Sequence, residues 1–160
     1  MTVNLQSVED DSYLSDVFLN ILNILNEEAT TVDSSCGQVE LTKHANCKHW
    51  VSSYPDEYIT GSDDFPLAVL HSPLSSDVRR GWDFSEEYYT FRIEVFSNRA
   101  EFCALFISKA WDALKRYDEQ LMDQGLYHIS HEQIQKGMTM RGEMKIHDMS
   151  MPITVRRIRE

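Results

Sequence analysis

The stretch that decides the fold is YYTFRIEVFSNRAE, residues 88–101. In its first ten residues, apolar and polar side chains alternate, with Tyr89, Phe91, Ile93 and Val95 on one side. A period of two is typical of a strand with one buried face. Asn98 and Glu101 then have the spacing of a capping box, which marks the start of a helix. The sequence therefore predicts a half-buried strand over 88–97 that leads directly into a helix.

The segment after this junction has the longest apolar stripe in the chain. Its members recur at spacings of three and four: Ala100, Cys103, Phe106, Ile107, Ala110, Trp111, Leu114, Tyr117 and Leu121. This period predicts one amphipathic helix. Gly125 follows the stripe and supplies the left-handed position at which helices commonly end. We expect a single long helix up to Gly125, with the thiol of Cys103 in the core.

Weaker patterns on either side complete the list of predicted elements. An amphipathic helix is predicted over 12–28, from the spacing of Leu14, Val17, Phe18, Ile21, Leu22 and Leu25. A short strand and a long loop are expected within 33–64, and a buried strand over 65–71. After the long helix, a strand is predicted at 126–130 and a mostly extended segment over 146–158.

These elements define the predicted fold class. Their order is α-β-β-α-β-β, which favours an α+β fold: a mostly antiparallel sheet with two helices packed on one face. The path from strand 88–97 through the helix to strand 126–130 is that of a crossover unit. The whole chain, residues 1–160, is expected to form a single domain.

Charge excludes several classes of partner. The chain has 15 Lys and Arg against 26 Asp and Glu, a formal net charge of -11. Because binding to DNA or an anionic membrane over a broad face needs clustered positive charge, this balance disfavours both. The longest mostly apolar run, residues 17–25, is far shorter than a bilayer span. The acidic start lacks the features of a secretory signal, so we expect the chain to stay in the cytoplasm where it is made.

One cluster of side chains has the chemistry of a metal site. Cys36, His44, Cys47 and His49 lie within 14 residues. Thiolate and imidazole ligands at this spacing are candidates for tetrahedral zinc, and the alternative is a polar loop. A disulfide between Cys36 and Cys47 would need an oxidising compartment, whereas three cysteines in all suit a reducing one.

Catalytic signatures are sparse. His128 and His131, next to Glu132, are candidates for a general-base pair, and the alternative is two exposed histidines at a strand end. The sequence contains no phosphate-binding glycine loop, nucleophile elbow or H-E-x-x-H motif. Their absence makes an enzyme less expected but does not exclude one.

The C-terminus concentrates positive charge. Arg156, Arg157 and Arg159 are three of the 15 basic residues of this acidic chain. They are candidates for pairing with an acidic patch on a neighbouring copy. The alternative is a solvated strand edge on which basic residues oppose aggregation.

Five of the seven methionines fall within residues 131–151: Met138, Met140, Met144, Met149 and Met151. Flexible thioether side chains suit a contact surface that repacks around a partner. The alternative is a mobile loop in which they only fill gaps. We take Met138, Met140 and Met144, with the three arginines, as candidate interface residues.

The order of elements resembles that of a known family. An N-terminal helix, a loop with Tyr54-Pro55, the strand FPLAVL (65–70), the strand 89–97 and a long helix ending in LMDQGL (121–126) follow one another. In this order and in the strand-to-helix junction, the chain resembles the tail-terminator and tail-completion proteins of long-tailed, siphovirus-like viruses. The resemblance covers most of residues 10–158. The Cys/His cluster and the methionine-rich segment depart from the family pattern.

The resemblance implies a structural virion protein without catalytic residues, that is, a protein that is not an enzyme and has no cofactor. Such a subunit forms a six-membered ring that caps the tail tube once its length is set and presents the head-joining surface. The implied partners are copies of itself, the tail tube protein and the head connector or neck proteins, with DNA only as cargo through an acidic lumen. The implied location is the virion tail or neck, after assembly in the host cytoplasm.

Three alternatives belong to the same prediction. A neck or head-completion protein has a related fold. A small zinc-binding protein would use the 36–49 cluster, and a host-directed binding protein would act as a monomer or dimer. In the ring hypothesis, residues 131–151 form subunit or tube contacts and the C-terminal arginines join an acidic neighbour.

Overall fold

A computed structural model describes residues 3–5, 7–8, 13–43, 48–52, 65–79 and 85–159. Within these ranges, the side chains of residues 13–14, 72–79, 85 and 159 are left out of the description. The elements in chain order are α1 (Tyr13–Glu28), β1 (Thr31–Ser34), β2 (Gly37–Glu40), β3 (Trp50–Val51), β4 (Leu67–Arg79), β5 (Ser85–Ser97), α2 (Ala100–Arg116), α3 (Asp118–Asp123), β6 (Leu126–His131), β7 (Gln135–Arg141) and β8 (Met144–Arg159).

A six-stranded sheet forms the centre of the molecule. Its order is β3-β4-β5-β8-β6, and β7 pairs with β8 on the same edge as β6. All pairings are antiparallel except β3 with β4. The predicted α+β class with a mostly antiparallel sheet is confirmed. Because β5 and β6 are both antiparallel to β8, they run in the same direction, with β8 inserted between them.

The alternation in β5 determines which face of the sheet is covered. Tyr89, Phe91, Ile93 and Val95 are completely buried, and they share one hydrophobic core with the apolar sides of α1 and α2. Their cross-strand neighbours in β8 are Val155, Ile153, Met151 and Met149, which belong to the same core. The helices therefore pack on one face of the sheet, as predicted, and the opposite face carries the polar half of the alternation.

The predicted capping box is wrong. Helix α2 begins at Ala100, and its N-cap residue Arg99 makes no side-chain cap hydrogen bond. The Glu101 carboxylate instead accepts hydrogen bonds from the backbone N–H (3.1 Å) and hydroxyl (2.9 Å) of Ser35. Ser35 lies in the turn between β1 and β2, so a donor distant in sequence takes the place of the Asn98 backbone.

The single long helix predicted up to Gly125 is divided at Tyr117. Tyr117 is 4% exposed, and its hydroxyl donates a hydrogen bond to Glu28 of α1 at 2.9 Å. Arg116 forms an ion pair with the same carboxylate at 2.8 Å. These contacts tie the junction of α2 and α3 to the end of α1. Gly125 has a φ of 84°, so the predicted helix end is confirmed.

Strand β8 tolerates a proline because its outer edge is interrupted there. On the edge that faces away from β5, strand β8 pairs first with β7 and then, further along the chain, with β6. The Pro152 carbonyl accepts a hydrogen bond from the Glu132 N–H (2.9 Å), in the segment between those two strands. The N–H that proline lacks would point to this same edge, so no bond of the ladder to β5 is lost.

Hydrogen bonds attach the short strand β3 to the end of α1. The backbone N–H groups of His49 and Trp50 donate to Asn26 Oδ1 at 3.1 and 2.8 Å. The Trp50 indole donates to the Ala29 carbonyl at 2.9 Å.

In the described part of the chain, no helix is long and apolar enough to cross a membrane.

Candidate assembly surface

Strands β7 and β8 form a hairpin at one end of the sheet. The register runs from Gln135 opposite Ser150 to Arg141 opposite Met144, which leaves a two-residue loop. Gly142, first in that loop, has a φ of 64°. A glycine with positive φ at this position matches a type II′ turn, whose twist suits an antiparallel hairpin.

Strand β7 is exposed along its whole length. All seven of its residues are exposed, and Met138 and Met140 are 55% and 51% exposed. The two methionines are two residues apart, so they lie on the same side of the strand. In the described ranges, no strand pairs with the other edge of β7. An open edge beside exposed thioethers is a surface on which another chain can pair and pack.

The five methionines of residues 131–151 therefore divide into an exposed pair on β7 and three that pack against their own chain. Met144 packs with Phe96 onto a small cluster formed by Phe65, Leu67 and Ile146. Met149 and Met151 are buried in the main core. Of the three methionines predicted at an interface, the structure places Met138 and Met140 on the exposed strand and Met144 against its own chain. The mobile-loop alternative is wrong, since residues 135–141 and 144–151 are paired strands.

A cluster of polar side chains lies on the open face of the sheet, next to strand β7 of the hairpin. Gly137 lies over Asp148 so closely that a Cβ atom at this position would be 2.4 Å from Asp148 Oδ1. Burial and a hydrogen bond with Glu94 both raise the pKa of Asp148, against the influence of Arg92. Glu94 also contacts His71, with 2.7 Å between Oε1 and Nε2. A glycine within a strand can indicate such a close approach, so Gly137 is the one local signal in the sequence that could have pointed to the cluster.

The hairpin is basic, whereas the chain is acidic. Residues 135–145 contain Lys136, Arg141 and Lys145 against the single acid Glu143. All four are exposed. Since the formal charge of the whole chain is -11, the rest of the molecule carries a larger negative charge. The hairpin thus presents local positive charge together with apolar thioethers.

Two of the C-terminal arginines point to opposite faces, as neighbours in a strand do. Arg156 lies on the open face, where it pairs with Glu86 at 3.4 Å. Arg157 lies on the helix face, where its side chain is 10% exposed and 3.6 Å from Glu87. The Tyr89 hydroxyl also donates to Glu87, and burial is the main cause of the raised Tyr89 pKa. The side chain of Arg159 lies outside the described residues.

Of the predicted zinc ligands, only Cys36 and His49 fall within the described ranges. The Cys36 thiol accepts a hydrogen bond from Arg99 at 2.7 Å. His49 contacts Glu40 at 2.8 Å, and this hydrogen bond is the main cause of the lowered Glu40 pKa. His44 and Cys47 lie outside the described residues. Elsewhere in the described chain, no three His, Cys, Asp or Glu side chains are grouped as metal ligands.

The two candidate general-base histidines have different surroundings. The His131 ring packs edge-on against Trp111, with 4.7 Å between centroids. His128 has a φ of 51° and sits in a β-bulge of β6. It lines an open pocket of about 430 Å³, which runs between β6, α3 and the open face of the sheet. The pocket is lined by Tyr88, Lys115, Asp118, Met122, Tyr127, His128, Ile129, Ser130, Thr154 and Arg156.

Helix α3, beside this pocket, is acidic. Its sequence DEQLMD has three acids and no base. Glu119 and Asp123 are exposed, and Asp118 pairs with Lys115 at 3.1 Å. Met122 is 47% exposed at the pocket rim. In the sequence these acids fall within one predicted long helix, so their pattern does not mark a separate acidic surface.

No family model and no curated protein matches this chain.

Proposed function

We propose that this chain is a structural virion protein that forms a six-membered ring at the end of a viral tail tube. The ring stops tube growth and provides the surface to which the head connector is joined. The observation that carries the proposal is the β7–β8 hairpin, with its open edge and its exposed Met138 and Met140. The unpaired edge offers main-chain donors and acceptors with which another chain can pair.

Charge distribution supports the same function. A ring around a DNA channel benefits from acidic walls, because they repel the phosphate backbone and let DNA pass without binding. The net charge of -11 meets this requirement. Contacts between copies then need local positive charge, which the hairpin supplies through Lys136, Arg141 and Lys145.

The proposal involves no catalytic step and no cofactor. The partners are further copies of the chain, the tail tube protein and the neck proteins. Among the alternatives from the sequence, a neck protein would use the same ring and differ in which partner it binds.

Native mass spectrometry of the purified chain tests the proposal. We expect a species of six times the 18.6 kDa chain mass, without bound metal. Negative-stain electron microscopy of the same sample should show rings with a central channel. A chain that is monomeric at every concentration up to its solubility limit contradicts the proposal. One zinc ion per monomer would favour the 36–49 cluster instead.

A ring alone does not distinguish a tail terminator from a neck protein. The ring should therefore be incubated separately with tail tubes and with connector-bearing heads. A tail terminator binds the end of the tube in the absence of heads. Binding to heads in the absence of tubes contradicts the terminator role.

A further inference from the structure

We infer that the β7–β8 hairpin of one copy binds helix α3 and the adjacent pocket of the next copy. This inference rests on the proposed self-assembly and names both sides of the contact. We call residues 135–145 the donor hairpin. The acceptor surface consists of Glu119, Met122 and Asp123 on α3, together with the pocket beside them.

The donor hairpin and helix α3 are complementary in charge, and the two basic residues that line the pocket, Lys115 and Arg156, are paired with Asp118 and Glu86 of their own chain. The donor hairpin has three basic residues and one acid, all exposed. The acceptor helix has three acids and no base, and among the described side chains only Asp118 of these is paired with a lysine of its own chain. Complementary potentials steer two surfaces together and fix their register. Like charges would oppose hairpin-to-hairpin or helix-to-helix contacts, so the contact joins unlike surfaces.

Both surfaces also present exposed apolar side chains. The donor hairpin presents Met138 and Met140, and the acceptor presents Met122 at the rim of a pocket of about 430 Å³. The pocket is open and has apolar side chains, including Ile129, among its lining residues. Thioether side chains adapt to irregular cavities and suit such a pocket. Exposed apolar side chains on both surfaces would be removed from water by the same contact.

A chain cannot make this contact with itself. Met138 is paired opposite His147, and Tyr127 opposite Arg156, on the same edge of β8. The nine residue steps along β8 from His147 to Arg156 correspond to about 30 Å at roughly 3.3 Å per residue. The donor and acceptor are therefore at opposite ends of one rigid sheet. Head-to-tail contacts between such surfaces generate rings when the rotation between copies closes.

Charge reversal tests the inference. In the donor variant, Lys136→Glu and Arg141→Glu make the hairpin acidic. In the acceptor variant, Glu119→Lys and Asp123→Lys make α3 basic. Each variant alone places like charges across the contact, so we expect loss of the assembled species in native mass spectrometry at low salt. Circular dichroism should show unchanged secondary structure in both, because all four residues are exposed.

Mixing the two variants gives the sharpest result. The acidic hairpin of the donor variant matches the basic helix of the acceptor variant. The natural basic hairpin of the acceptor variant matches the natural acidic helix of the donor variant. Every contact in an alternating assembly is then complementary, so we expect the equimolar mixture to regain the assembled mass with equal numbers of both variants.

A matched control changes the same charge elsewhere. Lys43→Glu with Lys48→Glu reverses two exposed lysines outside both surfaces, and this variant should assemble as the unchanged chain does. If the donor variant assembles normally, the inference is overturned. If both variants lose assembly and the mixture does not recover, the α3 acceptor is wrong while the proposed ring stands. If the unchanged chain never assembles, both proposals are overturned.

Discussion

The two halves of strand β8 share one neighbour and differ in the other. Along nearly its full length β8 pairs with β5, but its outer neighbour is β7 in the first half and β6 in the second. Strand β6 contributes Leu126 and Ile129 to the core and follows directly from α3. Strand β7 contributes no buried residue. Strand β6 therefore adds to the core, whereas β7 leaves its side chains at the surface.

The largest expected effect concerns the β6 half. Arg157→Met leaves the buried Glu87 carboxylate without the arginine 3.6 Å away. We expect the free energy of unfolding to fall by about 3–5 kcal/mol, because an uncompensated charge remains in the core. Arg156→Met is the matched control and should cost less than about 1 kcal/mol, as partly exposed pairs do. Urea unfolding measures both, and equal losses would contradict the assignment of the two faces.

Truncating one buried and one exposed methionine compares the contribution of the core with that of the hairpin surface. Met149→Ala removes a side chain that is 7% exposed and should cost about 2–5 kcal/mol. Met138→Ala alters a side chain that is 55% exposed, so its effect should stay within about 0.5 kcal/mol. Met138→Ala should nevertheless weaken assembly. A large stability loss in Met138→Ala would show that β7 belongs to the core.

A smaller effect is expected where the hairpin meets the open face. Gly137→Ala adds a Cβ atom 2.4 Å from Asp148 Oδ1, so the strand or the carboxylate must shift. We expect a cost of about 1–3 kcal/mol, typical of added bulk at a packed position. The double variant Gly137→Ala with Asp148→Ala removes the obstructing carboxylate and should recover part of this loss. Additive effects in the double-mutant cycle would argue against the contact.

The smallest expected effect is a change of the free energy of unfolding with pH. Burial and the hydrogen bond with Glu94 raise the pKa of Asp148 above its ordinary value of 3.8. The folded protein therefore holds this proton to a higher pH than the unfolded chain does. The associated stability is fully present below pH 3.8 and is lost as the pH rises through the folded pKa.

Asp148→Asn removes this titration and provides the measurement. The variant should become more stable relative to the unchanged chain as the pH rises from 3.8 towards neutrality. Denaturation midpoints of both proteins over this range test the sign. A difference in midpoint that does not vary with pH would exclude Asp148 as the titrating group.

The sequence by itself determined the elements whose pattern is local. The alternation in 88–97 predicted a half-buried strand, and the stripe of 12–28 predicted α1, because burial of one face imposes a period on the residues. It also predicted the helix end at Gly125, since glycine readily adopts a φ of 84°. Composition alone established the acidic character of the chain.

Tertiary structure decided the features that depend on contacts distant in sequence. The Ser35 hydroxyl donates a hydrogen bond to the Glu101 carboxylate, and the Tyr117 hydroxyl, at the break between α2 and α3, donates one to Glu28. Arg156 and Arg157 alternate as neighbours in a strand do, but only the pairing of β8 with β5 brings Glu86 next to the first on the open face and Glu87 next to the second on the helix face. Strand β7 has no apolar period, so its pairing is set by β8 and the Gly142 turn. In each case the deciding partner is far along the chain or in another strand, where a local pattern carries no information.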